Sequence, residues 1–344
     1  MKKALFKDHT AIDGAVGSKV AAYVSELRKW RYDRASSAVT NNVNREGYDS
    51  MTPMLDEEQE KILADTTILI ELKDAISETY REHTARWENL RAQVLAMQCN
   101  EQDWDVINTQ IQAIINERKF LDTLFINGNG VQGSSWYRKT GWNITTSSAL
   151  KNRLGIITCP VVLSGNQSGV SIVSWRVRFI DMGRMFMTPF FGKGISAQIP
   201  DNIGDLEYLE ELSFCFNFLM GEIPDSICNL KNLRILKLEA NQLSGTLPVG
   251  FGASMKSLQE LYLDHNRFEG SIDELLDLPA ATTIHVHENK FFGELKDDFL
   301  DKGLDEFYFY RNYLEYSDRI ANRCDGKYWK GRTEKESPMR VTKL

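Results

Sequence analysis

Between residues 182 and 314 the apolar positions repeat about every two dozen residues. One unit reads Leu206-xx-Leu209-xx-Leu212-x-Phe214-xx-Asn217-x-Leu219-x-Gly221-x-Ile223-Pro224-xx-Ile227. The next reads Leu230-xx-Leu233-xx-Leu236-x-Leu238-xx-Asn241-x-Leu243-x-Gly245-x-Leu247-Pro248-xx-Phe251. Shorter versions follow around Asn266, Asn289 and Asn312, and the five asparagines step by 24, 25, 23 and 23 residues. One step of 24 back from Asn217 lies a worn unit that keeps Met182, Met185, Phe190, Ile195, Ile199 and Pro200, with Lys193 in place of the asparagine. The pattern predicts about six stacked units, the outermost two atypical because each has a single neighbour.

Each recurring position has a physical reason. The alternating Leu-x-Leu is a short strand that sends two apolar side chains to one side. The asparagine follows where the chain must turn, and its amide can satisfy buried backbone groups. Asn217, Asn241, Asn266, Asn289 and Asn312 are therefore expected to form a structural ladder. The glycine tolerates a backbone conformation that other residues resist. One unit cannot bury its own apolar face, so the units must stack. The predicted fold is α/β: a solenoid of short parallel strands preceded by an N-terminal α-helical hairpin.

This pattern resembles the leucine-rich-repeat family, and the Gly-x-Ile-Pro step resembles its plant-type subclass. The resemblance covers roughly 40% of the chain through the repeats. Phe120 to Gly130, followed by Trp136, Gly141 and Trp142, is similar to the family's N-terminal cap. Secreted members usually pair cysteines there, and this chain offers only Cys159. The resemblance therefore implies an intracellular protein without a kinase domain that binds other proteins.

Outside the repeats, Val16, Val20, Tyr23, Val24, Leu27 and Trp30 predict one amphipathic helix, and residues 35–51 read as a polar linker. A long helix is expected from Thr52, with Pro53 at its first position and acidic residues in its first turn. Its apolar stripe runs from Leu69 to Met97. After a break at Cys99-Asn100, a second helix is marked by Trp104, Ile107, Ile111, Ile114, Phe120, Leu121 and Leu124. The β-rich segments 155–163 and 170–180 are expected to form a hairpin around Ser164–Gly169. The expected organisation is thus a helix and linker over 1–51, a helical hairpin over 52–126, a cap over 127–181, the solenoid over 182–317 and a basic tail over 318–344.

Composition narrows the function. No run of apolar residues reaches the roughly 18 that a membrane helix needs, and the start lacks the apolar stretch of a secretory signal. The five cysteines are scattered and odd in number, which points to reduced thiols in the cytosol. The net charge of −7 is uneven: residues 1–34 carry +4 and residues 319–344 carry +5, so the body between carries −16. Basic ends could meet an acidic partner surface, whereas an acidic body argues against nucleic acid.

Residues between the inward apolar positions are expected on the concave face of the solenoid. One column reads Pro189, Ser213, Lys237, Tyr262, His285, Tyr308, and the next Phe191, Cys215, Glu239, Asp264, His287, Tyr310. A third reads Gly192, Phe216, Ala240, His265, Glu288, Arg311. Tyr262, Asp264, His265, His285, His287, Tyr308, Tyr310, Arg311, Phe191 and Phe216 are the candidate partner-binding residues, because exposed Tyr, His and Arg suit protein recognition. His285 and His287 alternate on one strand and can point the same way, but no zinc-type ligand spacing accompanies them, so no metal or cofactor is expected. No G-x-S-x-G, H-E-x-x-H or phosphate-loop motif in its proper context appears, which argues against an enzyme. The sequence therefore points to a cytoplasmic interaction scaffold. The alternative is a structural subunit of a ciliary or cytoskeletal assembly, and less so of a ribonucleoprotein.

Overall fold

The computed structural model describes residues 101–128, 155–163, 172–183, 194–324 and 329–331. The expected helix at 15–34, the helix from Thr52, the loop at 164–169, Trp136, Trp142 and Phe191 lie outside the described residues. The chain divides into two compact units, one of residues 1–115, 145–149 and 158–176, the other of residues 116–144, 150–157 and 177–344. No helix of the described residues is long and apolar enough to cross a membrane.

Helix α1 covers Glu101–Asn127, and the Gly128 N–H closes its end on the Leu124 carbonyl at 2.9 Å. In the first unit, the buried Arg176 donates through Nη1 to Gln110 Oε1 at 3.0 Å. In the second, Phe120, Leu121, Leu124 and Phe125 are buried along the last turns of α1. The buried Glu117 there accepts the Val177 N–H at 3.0 Å. That bond ties the helix to the first strand of the ladder and satisfies an otherwise costly buried carboxylate.

The larger sheet contains β1 (Ile156–Leu163), β2 (Ile172–Asp181), β3 (Glu211–Ser213), β5 (Ile235–Lys237), β7 (Glu260–Tyr262), β9 (Thr283–His285), β11 (Glu306–Tyr308) and β13 (Trp329–Lys330), in that order. From β2 onward every pairing is parallel. The register aligns Ile180, Leu212, Leu236, Leu261, Ile284, Phe307 and Trp329 in one buried row. A second row, Phe214, Leu238, Leu263, Val286 and Phe309, is buried two residues on. A parallel arrangement needs a long return path between strands, and each coil supplies one.

The return path has two parts. Strands β4 (Met220–Gly221), β6 (Gln242–Gly245), β8 (Arg267–Gly270), β10 (Lys290–Leu295) and β12 (Tyr313–Tyr316) form a second sheet. Gly245 shows why glycine recurs here: its φ is 79°, and a Cβ would meet the Glu222 side chain at 2.7 Å. One tight helical turn per coil follows, at Asp201–Asp205, Asp225–Asn229, α2 (Phe251–Ser254), Asp273–Asp277 and Asp297–Asp301. Ile203, Ile227, Phe251, Leu275 and Phe299 plug the core from these turns. Pro200 and Pro224, extended at φ −63°, set the entry to the first two.

Two strand positions differ from the constant period. A step of 24 would set Pro189 beside Ser213, but the structure pairs Asp181 with Ser213. The same step would set Phe191 beside Cys215, a position that Gly183 takes, two residues after Asp181 as Cys215 is two after Ser213. A methyl on Gly183 would stand 2.2 Å from Cys215 Sγ, so no larger residue fits. At the other edge, β13 extends the ladder beyond residue 317, after the short helix α3 (Asp318–Arg323).

The asparagines close each coil. Asn241 Nδ2 donates to the carbonyls of Phe214 at 2.9 Å, Leu238 at 3.0 Å and Glu239 at 3.3 Å, while Oδ1 accepts the Leu219 N–H at 2.9 Å. Asn217, Asn266, Asn289 and Asn312 repeat this set. Replacing Asn241 with alanine leaves buried backbone groups unpaired, each worth roughly 1–3 kcal/mol. Asn241→Ala is expected to lower unfolding free energy by about 2–4 kcal/mol. Urea denaturation followed by circular dichroism measures this, and a change below about 1 kcal/mol would contradict the ladder's role.

Candidate functional site

The larger sheet presents a row of side chains between its buried rows. Register places Ser213, Lys237, Tyr262, His285, Tyr308 and Lys330 side by side. The strand spacing of just under 5 Å brings their rings into contact. Tyr262 meets His285 edge-on at 4.8 Å between centroids, and His285 stacks on Tyr308 at 4.0 Å and 8°. A lysine ammonium closes each end: Lys237 over Tyr262 at 5.3 Å and Lys330 over Tyr308 at 4.3 Å. All five side chains are half-buried. Cation–π attraction of this kind holds long lysine side chains against the sheet.

Carboxylates pin the row. His285 Nε2 pairs with Glu306 Oε2 at 3.1 Å, and the Tyr262 hydroxyl donates to Glu260 Oε2 at 3.2 Å. Burial, aided by Glu260, pushes the Tyr262 phenol well above its ordinary range. Burial lowers His285 despite the opposing carboxylates of Asp264 and Glu306.

The next row holds Glu239, Asp264, His287 and Tyr310. His287 stacks on Tyr310 at 4.4 Å and meets His265 edge-on at 5.1 Å. Asp264 is buried; its Oδ2 lies 2.8 Å from His265 Nδ1 and 3.6 Å from His287 Nε2. Glu239 is pushed upward by burial, and its Oε2 has no hydrogen-bond partner among the described residues. Burial, with the neighbouring histidines, lowers His287 to about 3, so its ring is neutral near pH 7.

Neighbours at 264 and 265 would face opposite ways on a plain strand. His265 instead has φ 54°, and so do its counterparts in the other coils: Phe216 at 56°, Ala240 at 56°, Glu288 at 56° and Arg311 at 52°. Each immediately precedes a ladder asparagine. This left-handed step ends the strand and turns the His265 ring back to Asp264. It also sets Arg311 against Glu288, with which it forms an ion pair. Of the sequence-selected residues, Tyr262, Asp264, His265, His285, His287, Tyr308 and Tyr310 come together here. Phe216 lies on a coil two turns away, one-third exposed. Lys330 was missed as part of the row, since nothing in its surroundings carries the repeat pattern.

The pH dependence of stability follows from His287. Its folded value lies below the ordinary 6.5, so between about pH 6.5 and 3 the unfolded chain binds the proton and the folded chain does not. Stability that is complete above pH 6.5 is therefore lost as pH falls, by up to about 1.4 kcal/mol per pH unit for this group. The stability gap between the wild type and His287→Gln should shrink or reverse over that window in urea titrations. A gap independent of pH would contradict the assignment.

The sequence profile described as Leucine Rich Repeat matches residues 208–230 and 257–278. No curated protein matches the chain. Among solved structures, the ectodomain of the receptor kinase SOBIR1 from Arabidopsis thaliana is 23% identical with a TM-score of 0.45; the match covers 58% of this chain and 96% of that one. The BIR2 ectodomain from the same plant is 22% identical with a TM-score of 0.43, covering 57% and 94%. The plant peptide hormone receptor RGFR1, solved in complex with RGF2, is 29% identical with a TM-score of 0.33, covering 36% and 20%. The chain carries leucine-rich repeats and folds as a leucine-rich-repeat solenoid of parallel strands.

Proposed function

We propose that the chain is a non-catalytic protein-binding module that holds an extended partner segment across β7, β9, β11 and β13. The observation that carries this reading is the continuous stack of Lys237, Tyr262, His285, Tyr308 and Lys330 on five adjacent strands. Half-buried aromatic side chains fixed by their neighbours lose little entropy on contact, which is why such residues dominate binding hot spots. The parallel ladder beneath them supplies a rigid base. The lysines at both ends favour a segment with acidic side chains.

Lys330 comes from the basic C-terminal end, and Arg323 lies over Trp329 at 5.0 Å. In this reading Lys330 of the basic segment contributes to the face, and the remaining basic residues are left to meet an acidic partner surface. The proposed setting is the cytoplasm, including a cytoskeletal or ciliary assembly there. It is supported by the five cysteines of the sequence, which are scattered, odd in number and without a paired spacing.

Proximity labelling with the full chain identifies the partner, and titration with that purified partner tests the face. Replacing Tyr262, Tyr308 and Tyr310 together with alanine should weaken binding by at least about 30-fold, the equivalent of one hot-spot residue of about 2 kcal/mol. Binding unchanged by the triple substitution would reject the long-sheet face.

A further inference from the structure

We propose that Asp264, His265 and His287 form a site for a divalent transition-metal ion of the zinc class. One ligand atom from each of the three lies within 4.8 Å of the others. The 3.6 Å between His287 Nε2 and Asp264 Oδ2 is too long for a hydrogen bond. Two ligands bonded at about 2.0–2.2 Å to one tetrahedral ion stand about 3.4 Å apart. The pair thus already has close to the separation that a shared ion requires. The His265 ring, with half of its side-chain surface exposed, would have to turn: its Nδ1 stands 2.8 Å from Asp264 Oδ2, and the three ligand atoms spread over up to 4.8 Å, so binding would close the widest gap by about an ångström or more.

A second observation is independent of this spacing. The His287 side chain is only 8% exposed, yet neither ring nitrogen has a hydrogen-bond partner among the described residues. Its Nδ1 is buried without one, although the ring is fixed by stacking on Tyr310. A buried ring with neither nitrogen paired carries a desolvation cost; an ion at Nε2, the nitrogen that faces Asp264, would offset that nitrogen's share, while Nδ1 would stay unpaired.

The donor set sets the class of ion. Two imidazoles and one carboxylate suit zinc, copper or nickel better than calcium or magnesium, which prefer all-oxygen shells. Three protein ligands leave a fourth position open on the side of the exposed His265 ring. No feature of the site depends on the partner-binding reading.

The test uses the full chain, stripped with a chelator and titrated with Co²⁺ alone, then with Zn²⁺ in competition. The wild type is expected to develop the intense visible bands of a low-coordinate cobalt site, which Zn²⁺ abolishes. His265→Asn keeps a residue that tolerates the left-handed backbone, and Asp264→Asn keeps the side-chain shape. Each should weaken the bands' midpoint by more than about 100-fold, because losing even an outer-sphere partner costs about 10- to 100-fold. Circular dichroism checks that each variant retains its fold. A wild type without these bands, or bands kept at wild-type affinity in both variants, overturns the site. Asp264 and His265 would then be only a hydrogen-bonded pair.

Discussion

At the end of each long-sheet strand the chain must turn a corner inside the stack, where its backbone groups are cut off from water. One asparagine per coil meets that demand. Its amide nitrogen serves carbonyls of its own corner and of the preceding coil, and its oxygen takes an N–H from the preceding coil's return strand. An aspartate would lack the donors and a serine the reach. The residue before it pays for the corner with a left-handed backbone. Remove the asparagine and both the corner and the contact to the neighbouring coil lose their hydrogen bonds together. The apolar rows depend on this, because they align only while successive coils keep one register.

That corner also makes the candidate site. Because the left-handed residue folds back, it reaches a neighbour in the adjoining column or on the adjoining coil. His265 reaches Asp264, and Arg311 reaches Glu288. A structural requirement, repeated five times for packing, has been filled once by a histidine beside an aspartate and opposite a second histidine. The same ladder spaces the aromatic row at the distance rings need for stacking. The face is therefore a product of the stack's own geometry and not of a separate loop or insertion.

The charged groups on this face are held rather than loose. Lysines lie on tyrosine rings, Glu306 is bonded to His285 and Glu260 to Tyr262. Burial keeps both His285 and His287 from taking up protons as readily as a free histidine. Near neutral pH the centre of the face thus presents neutral aromatic rings between two cations, with carboxylates beneath and beside them. Such a surface is preorganised, and preorganisation lowers the entropic cost of holding a partner.

The sequence by itself determined the solenoid, its ladder asparagines and the side chains that share a column. Those features follow from a period, and a period is visible one residue at a time: Leu236 and Leu238 point inward for the same reason that Leu261 and Leu263 do. It also marked Tyr262, His285 and Tyr308 as one row, since equal spacing from the asparagine gives equal position on the sheet. Only the tertiary structure decided that Asp181, and not Pro189, starts the row. The repeat period and the strand register part at this edge, because the stack needs matching strands and not a constant spacing. Only the structure brought in Lys330, whose segment bears no repeat. The sequence set Asp264 and His265 in adjacent columns of one face; only the structure showed how they meet, since plain alternation along a strand would separate them and the left-handed backbone at His265 turns its ring to Asp264.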